Sequence, residues 1–205
     1  ADSHRAAPEG WVAIVRLGHC VVVAGPDDQL GRIDRNTRQS TPTQLVSAAH
    51  IDEFVRPLHT LGPARLYYGA PGGPAPARST HGPLPVDDDR VQSVLADATD
   101  AERGESGVSA TTSGVFVALA DDGTPAAAAG WTLWPHDVAH ICVLTATAHR
   151  GTGAGLAAAH RALTEAVTAG LLPQWRVREG NHASAAIAER LGLHHAGDQY
   201  SILLD

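Results

Sequence analysis

Between Arg150 and Gly155 the chain reads R-G-T-G-A-G, an arginine followed by glycines at alternate positions. Arg150 offers a fixed positive charge, and Gly151, Gly153 and Gly155 remove the side chains that would hold an anion away from the backbone. Where such a run opens a helix, free N–H groups and the positive end of the helix dipole converge on one point. The chemistry this spacing can do is to hold linked phosphates over Gly151, Thr152, Gly153, Ala154 and Gly155. A plain glycine turn between two elements has the same composition, so the flanking sequence decides.

Ahead of the loop, Ile141, Val143 and Leu144 lie in a short β-branched apolar run that reads as a buried strand. Behind it, Leu156, Ala159, Leu163, Ala166 and Val167 recur at spacings of three and four, the apolar stripe of a helix. His160, Arg161, Thr164, Glu165 and Thr168 fall on the other face, and Gly170 stands where a C-cap is expected. A strand is expected around Gln174 to Arg178. Asn181-His-Ala-Ser184 then leads to Arg190-Leu191-Gly192-Leu193.

Arg150-Gly-Thr-Gly153-Ala-Gly155 resembles the Arg/Gln-x-x-Gly-x-Gly/Ala signature of the GNAT superfamily of acyl-coenzyme A-dependent acyltransferases. Asn181-His-Ala-Ser184 running to Leu191-Gly192-Leu193 is similar to the second signature, Asn-x-x-Ala/Ser ending in Leu-Gly-Phe. The two recur at the family's separation, and the resemblance covers roughly Gly114 to Asp205. It implies an α/β, GNAT-like fold: a mixed, mostly antiparallel central sheet with splayed strands flanked by helices. It also implies acetyl-coenzyme A as cosubstrate. The pantetheine arm would pair with the backbone of Val143, Leu144 and Thr145, and the pyrophosphate would sit on the loop from Arg150. Asn181 would bond the pantetheine, with Ser184 the second candidate there; asparagine is also among the best helix N-caps, and both roles stay open.

Acyl transfer to an amine needs a base, because an amine of pKa about 10 is mostly charged at neutral pH. Glu105 and His140 are the leading candidates, and His136 or Asp137 is third. The oxyanion would take backbone N–H groups at Val143 or Leu144. In many family members a tyrosine seven residues after the asparagine is the acid for the departing thiolate; here that position is Ala188. Tyr200 reads as core packing, and Cys142 could act as a nucleophile only if it faced the cleft. The expected reaction is therefore direct transfer of acetyl to a primary amine in a ternary complex. A catalytically silent acyl-coenzyme A sensor is the alternative from another class.

Composition narrows the partners. A net charge of −7 argues against an extended nucleic-acid footprint and favours a cationic acceptor. A small-molecule amine is expected rather than a protein, with oligomeric state open. All 15 basic residues are arginine, so no lysine of the chain can itself be acylated. No window approaches the ~20 apolar residues of a membrane span. The start of the sequence lacks a positive-then-apolar signal pattern, and a cytoplasmic location is expected. The histidines number 12, there is no Cys-x-x-Cys, and no metal is expected. Cys20 and Cys142 read as buried thiols. A dinucleotide-binding unit is disfavoured, because Leu156 holds the place of the third glycine of Gly-x-Gly-x-x-Gly.

Three regions are expected: an N-terminal α/β segment over 1–68, a Gly/Pro-rich linker over 69–85, and the acyltransferase domain over 86–205. The first is either a degenerate half of the same fold or a substrate region. In it, Trp11 to Arg16 and His19 to Ala24 suit a hairpin, and Thr43 to Val55 a helix with Leu45, Val46, Ala49 and Phe54 inward. The linker stretch is expected to form neither helix nor strand. Asp87 to Arg103 shows helical spacing. Val115 to Ala120, Ala126 to Trp134 and Val138 to Thr145 read as three antiparallel strands, the first two joined by a turn at Asp121-Asp122-Gly123-Thr124.

Overall fold

The computed structural model describes residues 10–205. Trp11–Leu17 (β1) and Cys20–Ala24 (β2) form the expected hairpin, followed by Asp27–Thr37 (α1) and Ala48–Val55 (α2). His59–Tyr68 (β3) and Thr80–Leu84 (β4) come next, then Asp89–Ala96 (α3) and Asp100–Ser106 (α4). Val115–Leu119 (β5), Pro125–Trp134 (β6) and Val138–Thr145 (β7) lead to Ala154–Thr168 (α5). Leu172–Arg178 (β8), His182–Arg190 (α6) and His194–Leu203 (β9) complete the chain. The fold is mixed α/β, with mostly antiparallel strands flanked by helices.

Two compact units share these elements, and they do not follow chain order. The first takes residues up to Tyr67, Arg176–His182 and His195–Asp205; the second takes Tyr68–Trp175 and Ala183–His194. In the first, the strand order is β2-β1-β9-β3, with Ile14 opposite Tyr200. Its core gathers Val12, Ile14, Ile33, Val46, Ile51, Val55, Tyr200 and Ile202. Tyr200 is fully buried, as its reading as a core residue requires, and its hydroxyl donates to Asp52 Oδ1 at 2.7 Å. Burial, and next the bond to Asp52, raises its pKa well above the ordinary phenol range.

The second unit orders its strands β8-β7-β6-β5-β4. Each of Ala126 to Ala129 on β6 is fully buried, and α5 presents Ala154, Ala157, Ala158, Ala159, Ala162 and Ala166 as buried residues. Small side chains on both partners let the helix axis approach the sheet closely, with Leu163 as the large wedge. On the other side, Val91, Val94 and Leu95 of α3 pack with Val115, Val117, Ala128, Cys142 and Leu144. The β5–β6 turn is held by Asp122, whose Oδ1 accepts from Thr124 N at 3.0 Å and Thr124 Oγ1 at 2.7 Å.

Several local expectations are corrected. The Gly/Pro-rich stretch ends in β4, which pairs with β5 through Thr80↔Ala118 and His81↔Val117, so part of it is strand. Asp87 to Arg103 is not one helix: Thr99 opens a second one with a capping box, accepting from Glu102 N at 3.2 Å while Glu102 Oε2 takes Thr99 N at 2.9 Å. The helix drawn from Thr43 begins only at Ala48, after a short 3-10 turn at Gln44–Val46. That rotates its inward face to Ile51 and Val55 and leaves Ala49 and Phe54 exposed. Val167, expected inward, is exposed because the alanines fill the contact with the sheet. Cys20 is exposed as well, on a strand with a neighbour on one side only.

Candidate functional site

β7 is paired with β6 along its full length, from Trp134↔Val138 to Ala127↔Thr145. Its pairing with the parallel β8 covers three rungs and stops at His140↔Gln174. Beyond His140, the edge of β7 turned away from β6 continues through Val143, Leu144 and Thr145 without a further rung. An unpaired strand edge offers N–H and C=O groups to an extended ligand. The side chains there do different things. Leu144 and Cys142 are buried against the α3 cluster, whereas Thr145 lies against α5. Cys142 is therefore a core thiol, its Sγ 3.6 Å from the His140 carbonyl, and offers no nucleophile.

The loop from Ala146 to Gly153 winds tightly before α5. His149 N bonds Ala146 O at 2.9 Å, Arg150 N bonds Thr147 O at 3.3 Å, and Thr152 N reaches His149 O at 3.4 Å. Gly151 and Gly153 adopt φ of 77° and 87°, where a side chain would be strained. The ladder of α5 starts late, with Ala157 N to Gly153 O at 3.0 Å, and the N-cap glycine has no side chain to serve the first turn. Among the described residues, the N–H groups of Gly151, Gly153, Ala154, Gly155 and Leu156 therefore have no acceptor within the protein. Open donors gathered in this loop and at the helix N-terminus form a cradle that suits an anion. Gly155 is needed for a second reason: a Cβ there would run into Thr145 Oγ1 and sit 3.4 Å from Ile187 Cδ1. Its absence lets the first turn of α5 close on the end of β7.

Arg150, at the rim of this loop, is paired with an acid. Its Nη2 lies 2.7 Å from Glu102 Oε1, with the Arg150 side chain half exposed. Glu102 also accepts from the backbone N and hydroxyl of Thr99, each at 2.9 Å. The Thr99 backbone bond first, and then Arg150, hold its carboxyl down at about 2. Asp97 accepts from Thr147 N, a second acid tying the α3–α4 corner to the loop. None of these acids stood out in the sequence, because their role depends on a corner in space.

His140 occupies the last β7–β8 rung and stacks on Trp134, ring centroids 4.4 Å apart and planes 14° from parallel. It is opposite Thr132, whose hydroxyl donates to Ala110 O at 3.2 Å, so His140 shares the face on which that turn packs. Glu105 is exposed in the last turn of α4. His136 and Asp137 are exposed in the β6–β7 turn with φ of 63° and 59°. In the second unit Ser184 Oγ accepts from Trp175 Nε1 at 2.9 Å, and Ala188 is fully buried in α6. Asn181 belongs to the first unit, half-buried just ahead of α6, its N–H bonded to Arg178 O at 3.0 Å. Among the described residues no cluster of three or more His, Cys, Asp and Glu could hold a metal, and no helix is long and apolar enough to cross a membrane.

Comparison with known proteins adds the family. The model of the Acetyltransferase (GNAT) family matches residues 84–193, more than half of the chain. An acetyltransferase from the GNAT family of Colwellia psychrerythraea is similar in structure, with TM-score 0.54 and 13% identity over 91% of this chain and 76% of that one. A GCN5-related N-acetyltransferase from Kribbella flavida gives 0.53 and 21% over 76% and 62%. A GNAT-family structure from Novosphingobium aromaticivorans gives 0.52 and 17% over 72% and 66%. The chain thus spans under two thirds of the last two, and at these identities the likeness speaks for the fold alone. No curated protein matches the sequence. With the cradle, the three-rung pairing of β7 and β8 and the family match together, the chain belongs to the acetyltransferase (GNAT) family.

Proposed function

We propose that the protein moves an acetyl group from acetyl-coenzyme A to a primary amine, by direct attack within a ternary complex. One observation carries this reading: five backbone donors without acceptors lie at the start of α5, beside a strand edge whose pairing has ended. The cradle suits the diphosphate of the donor, and the edge at Val143, Leu144 and Thr145 suits the amides of its pantetheine arm. The acetyl group then lies near the last β7–β8 rung, which is where His140 stands.

In the reaction, a base takes a proton from the ammonium form, and the free amine attacks the thioester carbonyl. The new C–N bond forms as the carbonyl electrons move onto oxygen, where β7 backbone N–H groups stabilise the oxyanion. Its collapse breaks the C–S bond; the attacking nitrogen gives up its second proton, and the thiolate, of parent pKa about 8.5, takes up one proton on release. His140 is the favoured base: histidine exchanges protons near neutrality, and the Trp134 stack fixes its ring. Glu105 is the second candidate. The acidic balance of the chain favours a small cationic acceptor, and a cytoplasmic setting supplies the donor.

Incubation with acetyl-coenzyme A and a panel of small amines, with free thiol followed over time, tests the reading. Amine-dependent thiol release is expected. His140→Gln should lower kcat by roughly 10²-fold or more and remove the rising limb of the pH profile, whereas Glu105→Gln should not. Thermal stabilisation by coenzyme A with no thiol release from any amine would instead identify a silent binding module.

A further inference from the structure

We propose that Arg78, from the Gly/Pro-rich stretch before β4, is the cation that meets the donor's phosphates at the cradle, rather than the motif arginine Arg150. This rests on the acyl-donor reading above. A diphosphate-bearing thioester brings several negative charges to a chain of net charge −7, so the balance of charge at the cradle matters.

Arg150 contributes little net charge there. Its guanidinium is neutralised at 2.7 Å by Glu102, a carboxylate that stays ionised throughout the ordinary pH range. Arg78 is held differently. Its Nη1 donates to Leu119 O at 2.9 Å, and its Nη2 reaches Thr152 O, inside the cradle loop, at 3.4 Å. The side chain is only 20% exposed, so the charge is held in place by neutral carbonyls. Its carboxylate neighbour is Asp121 at 3.7 Å, whose side chain is fully exposed and screened by water.

The contact with Thr152 orients the cradle: across a trans peptide the C=O and N–H point in opposite directions, so drawing the Thr152 carbonyl toward Arg78 helps fix where Gly153 N–H points. Two carbonyls use two of the five guanidinium donors, and the remaining donors can face phosphate oxygens. The sequence motif gives no sign of this residue. It lies more than seventy positions before the loop and reaches it because β4 runs beside β5.

Calorimetry on the full chain, with coenzyme A, its 3′-dephospho form and pantetheine as ligands, separates the outcomes. Arg78→Gln is expected to weaken coenzyme A binding roughly ten- to hundredfold, leave pantetheine affinity unchanged, and exceed the loss in Arg150→Gln. An equal loss with the dephospho form assigns Arg78 to the diphosphate, and a loss confined to coenzyme A assigns it to the 3′-phosphate. Asp121→Asn, at a fully exposed position that folding tolerates, should tighten coenzyme A about two- to fivefold at low salt by unmasking Arg78. Unchanged coenzyme A affinity in both variants, an equal loss for pantetheine in Arg78→Gln, or a larger loss in Arg150→Gln overturns the proposal. Failure of the unaltered protein to bind coenzyme A would overturn the donor reading itself, a distinct result.

Discussion

Gly155→Ala tests the contact that joins the cradle to the sheet. Two effects oppose each other. Alanine replaces glycine in the first turn of a helix, which favours the folded state by up to about 1 kcal/mol through propensity and a less flexible unfolded chain. Against that, the new methyl runs into Thr145 Oγ1 and touches Ile187 Cδ1 at 3.4 Å. The hydroxyl sits on the stiff Cβ of a β-branched residue in a strand, so it cannot swing clear as the end of a long side chain would. Overpacking of this kind costs about 1–3 kcal/mol. The clash wins, with a net loss of roughly 1 kcal/mol, or about 2–4 °C in Tm for a chain of this size. Thr145→Ala removes the obstructing oxygen and leaves Thr145 Cβ at an ordinary 3.8 Å. In that background Gly155→Ala should become neutral or stabilising by up to about 1 kcal/mol. The double-mutant cycle, read by thermal or urea unfolding, should show a coupling of about 1–2 kcal/mol. Equal effects of Gly155→Ala in both backgrounds would refute the argument that Gly155 is required by Thr145. Differential scanning with and without coenzyme A, on the same four proteins, reports whether the close approach also serves ligand binding.

Other predictions follow from the same loop. Gly153→Ala meets no atom within 4 Å, so its cost is backbone strain alone at φ 87°, about 1–2 kcal/mol, and the relaxation of that strain turns cradle donors away. It should weaken coenzyme A more than it lowers Tm in the absence of ligand; an unchanged affinity would argue against the cradle. Glu102 has a folded pKa near 2 against an ordinary 4.5, so its contribution to stability is present above the ordinary value and fades as pH falls toward 2. The Tm difference between the unaltered protein and Glu102→Gln should therefore stay constant above pH 5 and close between about pH 4.5 and 2. A difference that persists at pH 2 would show that the Thr99 and Arg150 contacts do not depend on the charge.

The sequence carried much of this molecule by itself. Glycines at alternate positions after a β-branched run, and a stripe at spacings of three and four, determine a strand, a glycine-rich loop and a helix through local physics alone. Turn residues likewise set the β5–β6 turn at Asp122-Gly123, and Tyr200, which reads as core packing, is buried. Tertiary structure decided what depends on distant neighbours. Capping by Thr99 split a helix that its apolar spacing would have continued, and pairing with β5 made a strand of a stretch rich in proline. The last part of the chain joins the first unit because β9 finds its partner in β1, a choice that no local preference records. The charge at the cradle was decided in the same way. Arg150 is conspicuous in the motif, yet Glu102 arrives from another helix to neutralise it, and Arg78 arrives from another strand's approach. Local conformation follows from the sequence because its energies act between near neighbours, whereas the net charge of a site is a sum over groups that only the folded chain brings together.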